Sequence, residues 1–398
     1  MKLHELKKDL FWIGVRDPNL RVFDVIMKTE FGTTYNSYLI RGEKNILVET
    51  AKVGFYDEYV KNIEAVIGSE DIHYIISNHT EPDHSGSLKN LLVRYPKAQV
   101  ICSKPASLYL RGMLNQDFDC RVVGDNEELL LGNKAFKFIS APFLHWPDTM
   151  FTYYIDEKVL FSGDVLGCHF CPKGDVVLDV ESGDFMKAFK YYFDVIMGPF
   201  KDHAIKAMSK IENMDIQMVG TSHGPVLTEN IDKYIGMYME WSQDAVLPKD
   251  KKYILIGYVS AYGYTRTIAE ELFRTMSEDN TLDVEIVDIS QYDLMDIKKK
   301  VEYADGVLIG SPTFNQDALK PVWDALSVIC PINVRNKPAA AFGSYGWSGE
   351  AVKMLEERMK SLKFKVVESG LRFNFAPSDA DLKTTSEFAK RFIEIVKG

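Results

Sequence analysis

Cysteine is scarce in this chain, with five residues in 398: Cys102, Cys120, Cys168, Cys171 and Cys330. So few thiols, so widely spread, exclude a disulfide framework in a chain of this length and point to reduced side chains. One close pair exists, Cys168-His169-Phe170-Cys171, and its C-x-x-C spacing without a second half leaves an incidental role and a redox or metal role both open. Long apolar runs are missing too. No stretch approaches the roughly 20 residues that a membrane span needs. The opening segment, MKLHELKKDLFWIG, has lysines but no apolar h-region, so the expectation is a cytoplasmic protein with no membrane contact. Positive charge is in deficit, 47 Lys and Arg against 57 Asp and Glu for a net charge of -10, which argues against a nucleic-acid surface. The chain also has no internal repeat and no low-complexity segment.

Hydrophobic residues at 46% and charged residues at 26% are ordinary globular usage, and the length predicts two or three domains. From Phe11 to about Gly220 short apolar runs alternate with helical patterns. Tyr35 to Ile40, Asn45 to Val48, His73 to Ser77, Gln99 to Cys102, Phe136 to Ile139, Met150 to Ile155 and Val159 to Phe161 read as strands. Helices are expected at Phe55 to Ile67, Ser85 to Arg94, Asp184 to Met197, Phe200 to Asn213 and Glu229 to Ser242, packed on the outer faces of the sheets. Periodicity stops over Asp244 to Lys252, a polar stretch with Pro248, which reads as a linker. Beyond it the alternation is regular. Strands at Tyr253 to Val259, Asp283 to Asp288, Gly306 to Gly310, Ala339 to Phe342 and Phe364 to Glu368 are each followed by a helix. The helices span Thr265 to Met276, Asp293 to Val301, Leu319 to Ile329, Gly349 to Leu362 and Asp379 to Val396, which predicts a doubly wound parallel sheet. The expected domains are residues 1–247 and 252–398.

The densest chemistry is His79-Thr80-Glu81-Pro82-Asp83-His84, four potential ligands in six residues directly after an apolar strand. Alternate residues of an extended segment project to one side, so His79 and Glu81 can reach one ion while Asp83 and His84, at the turn into a helix, reach a second. Three more candidates, His145, Asp164 and His223, lie at ends of later strands, where a rigid scaffold presents functional groups. Isolated histidines such as His4, His73 and His203 read as surface or core residues. Three carboxylates and four imidazoles with no thiolate suit iron or manganese as well as zinc.

This pattern resembles the metallo-β-lactamase superfamily, whose motif H-x-H-x-D-H precedes a distant His, a bridging Asp and a last His. Here Glu81 replaces the second His, and that departure is similar to the flavodiiron proteins. The resemblance spans essentially the whole chain and includes His145-Trp146-Pro147-Asp148. It implies a metallo-β-lactamase-like αββα sandwich followed by a flavodoxin-like sheet, with two irons. It further implies that His79, Glu81 and His145 hold one iron, that Asp83, His84 and His223 hold the other, and that Asp164 bridges them. His169, five residues after Asp164, resembles a histidine behind the ligands that hydrogen-bonds or delivers protons.

In the second half, Ser260-Ala261-Tyr262-Gly263-Tyr264-Thr265 opens a helix, where hydroxyls, a glycine and free N–H groups suit a phosphate dianion. Two later loops follow strands at the same sheet edge: Ser311-Pro312-Thr313-Phe314-Asn315 and Ser344-Tyr345-Gly346-Trp347-Ser348-Gly349. These loops resemble those of flavodoxin, although Tyr262 stands where the usual phosphate loop has Thr. The absence of G-x-G-x-x-G favours FMN over a dinucleotide. Phe314, Tyr345 and Trp347 are placed to border its ring.

Flavin and iron pair together hold four electrons, enough to take O₂ to two waters, and O₂ is the expected substrate with NO reduction to N₂O alongside. The alternatives are a mainly nitric oxide-reducing enzyme, a metal-dependent hydrolase with an accessory second domain, and a plain FMN electron carrier. Glu81 counts against the hydrolase, and an idle seven-ligand site against the carrier. No C-x-x-C pairs follow the second domain, so a fused rubredoxin is not expected, and the resemblance implies a separate donor such as rubredoxin. The resemblance implies a head-to-tail homodimer or a dimer of dimers, with Trp347 at the contact.

Overall fold

The structure is a computed structural model that describes residues 4–177, 182–243 and 250–398. It divides into two compact units, Met1–Leu247 and Pro248–Gly398. The stretch Asp244 to Lys252, read as a linker, lies mostly outside the described residues, and the strand that follows already begins at Lys252.

In the first unit period-2 alternation builds two facing sheets. One has seven strands in the order His4–Lys7, Leu10–Trp12, Tyr38–Ile40, Ile46–Val48, Tyr74–Ser77, Gln99–Ser103 and Cys120–Val123. The other has five, in the order Glu128–Leu131, Lys134–Ser140, Met150–Tyr154, Val159–Gly163 and Met218–Thr221. Within Ile46-Leu47-Val48 the outer two residues join the core between the sheets, with Tyr38, Ile76, Phe136, Phe138 and Phe161. Leu47 points the other way, into a core it shares with Tyr59, Ile63 and Leu91 of the covering helices. Leu160 does the same on the second sheet, whose cover includes Phe189, Met208 and Tyr238. The result is an αββα sandwich.

Several elements differ from the sequence reading. The run Tyr35 to Ile40 breaks at Asn36 and Ser37, leaving strands Thr33–Tyr35 and Tyr38–Ile40. Asn36 is the reason. Its side chain accepts from Trp12 Nε1 at 2.8 Å and donates to the carbonyls of Thr221 and Gly224, which draws it out of the ladder. The helix expected from Ser85 to Arg94 is two pieces, Pro82–Ser85 and Leu88–Arg94. Asp184 to Met197 becomes an α-helix, Gly183–Tyr192, that widens into a π-turn over Phe193–Met197. The helix Lys104–Leu114, capped by Ser103, was not expected.

The second unit is an all-parallel sheet in the order Leu282–Asp288, Lys252–Tyr258, Gly306–Gly310, Pro338–Tyr345 and Lys365–Val366, with Leu371–Asn374 also paired to Pro338–Tyr345. Near-continuous apolar strands are buried on both faces, as parallel sheets require. Leu255, Val307 and Ala341 meet helices Leu294–Tyr303, Lys320–Ser327 and Glu350–Ser361. Ile254, Ile256 and Leu308 meet Tyr264–Ser277 and Asp379–Lys397. The single last strand expected over Phe364 to Glu368 is two short ones, because the chain reapproaches the sheet at Gly370. A Cβ there would sit 2.1 Å from the Ala341 carbonyl oxygen.

Phe161 is 1% exposed between the two sheets, its ring 5.0 Å from that of Tyr38. Phe161→Ala should cost about 3–5 kcal/mol in denaturant unfolding. Leu130→Ala, at a position 70% exposed, should change stability by no more than about 0.5 kcal/mol.

Candidate metal centre and flavin site

The hexapeptide with four candidate ligands starts from a pinned residue. Asn78 N–H donates to Glu49 Oε1 at 2.8 Å, its Oδ1 accepts from Thr152 Oγ1 at 2.6 Å, and its carbonyl accepts from Met150 N–H. The chain then runs extended through Glu81, as the residue before a proline must, and Pro82 opens the short turn Pro82–Ser85. That change of direction sends His79 and Glu81 one way and Asp83 and His84 the other. Asp164 follows strand Val159–Gly163, and His223 follows strand Met218–Thr221.

All seven predicted ligands converge. His79, Glu81, His145 and Asp164 form one group, and Asp83, His84 and His223 another, with the donor atoms of each group within 4.8 Å of one another. The two carboxylate oxygens of Asp164 face opposite groups. Oδ2 lies 3.1 Å from His145 Nε2 and 3.6 Å from His79 Nε2. Oδ1 lies 3.4 Å from His84 Nε2 and 4.0 Å from His223 Nε2. Glu81 Oε2 is 2.8 Å from His145 Nε2, and Asp83 Oδ2 is 3.1 Å from both His84 and His223.

The electrostatics are those of a site made for cations. Burial penalises every charge here, yet the surrounding histidines hold Glu81 down to about 2. Asp164 is likewise held well below the carboxylate range, by His79 and His145 against burial. His223 Nδ1–H donates to the Thr34 carbonyl at 2.6 Å, which leaves the Nε2 lone pair directed at Asp83 and His84. Both nitrogens of His79, Asp83 Oδ1 and Oδ2, and Asp164 Oδ1 are buried without a good hydrogen bond. Buried polar atoms left in this state are costly unless a cation takes them, and nitrogen with carboxylate oxygen is a donor set that suits iron.

His169 stands behind the second group. Its Nδ1 is 2.9 Å from Thr33 Oγ1, and its ring is 4.6 Å from that of His223 and 4.4 Å from that of Phe23. Burial, followed by the nearby His223, pushes its pKa well below the usual histidine value, so the ring is neutral. Cys168 and Cys171 are buried free thiols, and neither belongs to a ligand group among the described residues. Cys168 instead packs where Gly224 has no side chain: a Cβ on that glycine, at φ +81°, would lie 2.7 Å from the Cys168 carbonyl oxygen.

Sequence reasoning missed the supports. Glu49 is fully buried and burial raises it to about 7; besides holding Asn78 it lies 4.0 Å from His79 Nδ1. Thr33 and Thr34 set the histidine rings. Phe23, on the hairpin Val22–Phe23 and Met27–Lys28, packs on His169, and the next residue, Asp24, lies beside Glu81. None belongs to a motif, and only contact across the fold reveals them.

In the second unit the three candidate flavin loops follow strands Lys252–Tyr258, Gly306–Gly310 and Pro338–Tyr345. Ser344 and Tyr345 are the last residues of the third strand, and Thr313 and Phe314 pair with Asp317–Ala318 as a small hairpin. Ser260 Oγ accepts from the N–H groups of Gly263 and Arg266. Gly263, at φ +87°, precedes the helix and offers no side chain of its own to the first turn, which leaves an N-terminus suited to phosphate. The loops are tied together: Thr265 Oγ1 is 2.9 Å from Ser344 Oγ, and Thr313 Oγ1 accepts from Ala351 N–H. Gly346 and Gly349 each leave room for an aromatic ring, that of Phe375 and of Tyr345. Tyr262 stacks on Phe314, while Trp347 is 80% exposed. Pro312 is buried under this edge and Asn315 is exposed at the hairpin turn. Strand order 2-1-3-4-5 places the ligand edge of such a sheet here, and exposed aromatics around the N-terminus of helix Tyr264–Ser277 fit FMN.

A metallo-β-lactamase-like metal domain joined to a flavodoxin-like domain defines the class. Residues 33–224 match the profile of the ODP family beta lactamases and residues 256–388 that of flavodoxin. The chain is 42% identical over 398 residues to the flavo-diiron protein FprA2 of Clostridium acetobutylicum, covering 98% of this chain and 99% of that one. It is 33% identical over 397 residues to the anaerobic nitric oxide reductase flavorubredoxin of Aeromonas hydrophila, covering 98% and 79%. The solved rubredoxin oxygen:oxidoreductase from Desulfovibrio gigas is similar with a TM-score of 0.70 at 26% identity, over 100% and 99% of the two chains. The chain belongs to the flavodiiron protein family. It is an oxidoreductase whose cofactors are a diiron centre and FMN. Among the described residues no helix is long and apolar enough to cross a membrane.

Burial alone would lower His145, but hydrogen bonds with Asp164 and Glu81 hold it up at about 9. In metal-free protein the ring is therefore protonated below that pH, whereas an ion binds only the neutral ring. Ferrous iron uptake by metal-free protein should release protons. Its affinity should rise as the pH is brought up toward about 9, as read by competition with a coloured chelator.

Proposed function

We propose that the seven converging residues hold two irons and that the enzyme reduces dioxygen to water, with nitric oxide reduced to N₂O more slowly. The observation that carries this reading is Asp164, with one carboxylate oxygen toward each ligand group. The diiron pair supplies two electrons and a place for O₂, and FMN supplies two more, which makes the four that water formation needs. His79, Glu81 and His145 hold one ion, and Asp83, His84 and His223 the other, with Asp164 shared. Glu81, in place of the histidine of the zinc pattern, adds a negative charge that favours an ion able to become ferric. A hydrolase has no use for that charge, since zinc does not change oxidation state.

His169 acts through its protons. Thr33 Oγ1 donates to the Thr34 carbonyl, so it accepts from His169 Nδ1–H, and the neutral ring keeps a lone pair on Nε2. A proton taken up at Nε2 can pass into the pocket. In the second unit, Ser260, Tyr262, Gly263, Tyr264 and Thr265 hold the phosphate, while residues of the two later loops, with Phe314, Tyr345 and Trp347, border the ring. The likeness to a nitric oxide reductase favours a second reading, in which NO is the main substrate.

The electron donor in this reading is rubredoxin or a similar small protein, in line with the partner named for the Desulfovibrio gigas enzyme. The assembly is a head-to-tail homodimer or a dimer of dimers. Tyr262 at 78% exposed and Trp347 at 80% support a covered flavin edge. The cytoplasm suits five free thiols.

Reduced protein with both cofactors loaded should consume O₂ without releasing peroxide, checked in an oxygen electrode by adding catalase. Peroxide in proportion to the O₂ consumed would mean that flavin alone reacts. The same protein given NO without oxygen should turn over more slowly, and the reverse order would establish the second reading. Assembly is tested with mixed dimers of a His79→Ala chain and a Gly263→Val chain, the latter putting a branched residue in the left-handed turn. One working pair should survive in the mixture while each homodimer is inactive, as read by oxygen uptake. An active monomer in sedimentation would rule out the crossed arrangement.

A further inference from the structure

Within the first unit, two thiols that belong to neither ligand group touch at the edge of the seven-stranded sheet. Strands Gln99–Ser103 and Cys120–Val123 run parallel, with Val100 opposite Cys120 and Cys102 opposite Val122. Residues opposite each other share a face, and so do residues two apart along a strand, so Cys102 and Cys120 lie on the same side. Their sulfurs are 3.4 Å apart. Cys102 is fully buried, whereas Cys120 is partly exposed and belongs to the edge strand.

The surroundings make the two unequal. Arg111, on helix Lys104–Leu114 over this face, holds its guanidinium 5.4 Å from the Phe118 ring centre, and its charge favours a thiolate at either sulfur. Asp119 opposes it at Cys120 and Asp148 at Cys102. The hydrogen bond from Cys102 dominates and draws Cys120 down to about 7, against the cost of its burial. The same bond, with burial, pushes Cys102 up. The exposed sulfur is thus the nucleophile, and the buried one keeps its proton.

The geometry points to a dithiol–disulfide redox site at Cys102 and Cys120, oxidised by a small hydroperoxide. The Cys120 thiolate attacks one peroxide oxygen. The S–O bond forms as the O–O bond breaks, and the departing hydroxide or alkoxide takes a proton and leaves as water or alcohol. Cys102 sulfur then attacks the Cys120 sulfenic acid. The S–S bond forms, the S–O bond breaks, and hydroxide leaves as water with the Cys102 proton. The two thiols lose two electrons and two protons, and the peroxide gains them. A small thiol reverses the change by exchange, becoming a disulfide itself. Closing from 3.4 Å to a bond of about 2.05 Å requires the strands to shift. Cys120–Val123 is the strand able to do so, being paired on one side only among the described residues.

The test uses full-length protein with both cofactors in the oxidised state. It is treated with a small excess of hydrogen peroxide or with diamide, which oxidises thiols without iron. Catalase quenches the peroxide. The remaining thiols are then blocked with N-ethylmaleimide under denaturing conditions and mapped by mass spectrometry. Either oxidant should give one cross-linked peptide pair, Cys102 with Cys120, lighter by two hydrogens and restored by dithiothreitol, while Cys168, Cys171 and Cys330 still alkylate. Cys102→Ser, or Cys102→Ala should the serine variant fail to fold, should leave Cys120 as a sulfenic acid trapped by dimedone. Cys120→Ser should give no such adduct at Cys102. Full alkylation of both thiols after each oxidant would overturn the assignment. So would a bridge elsewhere, a dimedone adduct at Cys102, or a bridge that forms with peroxide but not with diamide.

Discussion

Three carboxylates and four imidazoles are buried together at one end of the β-sandwich, and the first unit is organised around making that burial tolerable. An ion taken from water into a protein interior costs several kcal/mol even after relaxation, and hydrogen bonds among the groups offset only part of it. The histidines and carboxylates therefore perturb one another strongly, and several of their atoms stay unmatched. Two cations resolve the imbalance. The scaffold's task is to hold the ligands at positions they would not choose for themselves. Asn78 and Asn36 do this from opposite sides, one tying the hexapeptide to Glu49 and Thr152, the other tying a broken strand to the loop of His223.

The part of this site that is local in the chain was legible in the sequence. His79 to His84 announce themselves by density, and Pro82 explains how four neighbours serve two groups. His145, Asp164 and His223 were found as polar residues at strand ends, but their division between the groups came only from the resemblance. Glu49, Thr33 and Thr34 left no trace in the sequence, because a carboxylate or a threonine earns its place by a contact 29 or 190 residues away. Cys102 and Cys120 are the same case, since which cysteines meet depends on the register of parallel strands that no composition reveals.

The second unit was more legible because doubly wound sheets repeat one local unit, a buried strand and an amphipathic helix, and each unit carries its own periodicity. What failed was the edge. Lys365–Val366 and Leu371–Asn374 are short and pair with a strand that outruns both, so neither gives a clean alternating signal. The three candidate loops lie at strand ends as read, but the ties between them, Thr265 to Ser344 and Thr313 to Ala351, required the sheet order first.

Asp164 offers one oxygen to each ligand group, and this has an evolutionary consequence. A substitution that changes its basicity, tilt or reach alters both halves of the centre at once. Drift at Glu81 or Asp83 is confined to one side, so divergence among descendants of this chain can begin there by small steps. The shared carboxylate admits no such half measure, because any change there removes a contact from each group at once.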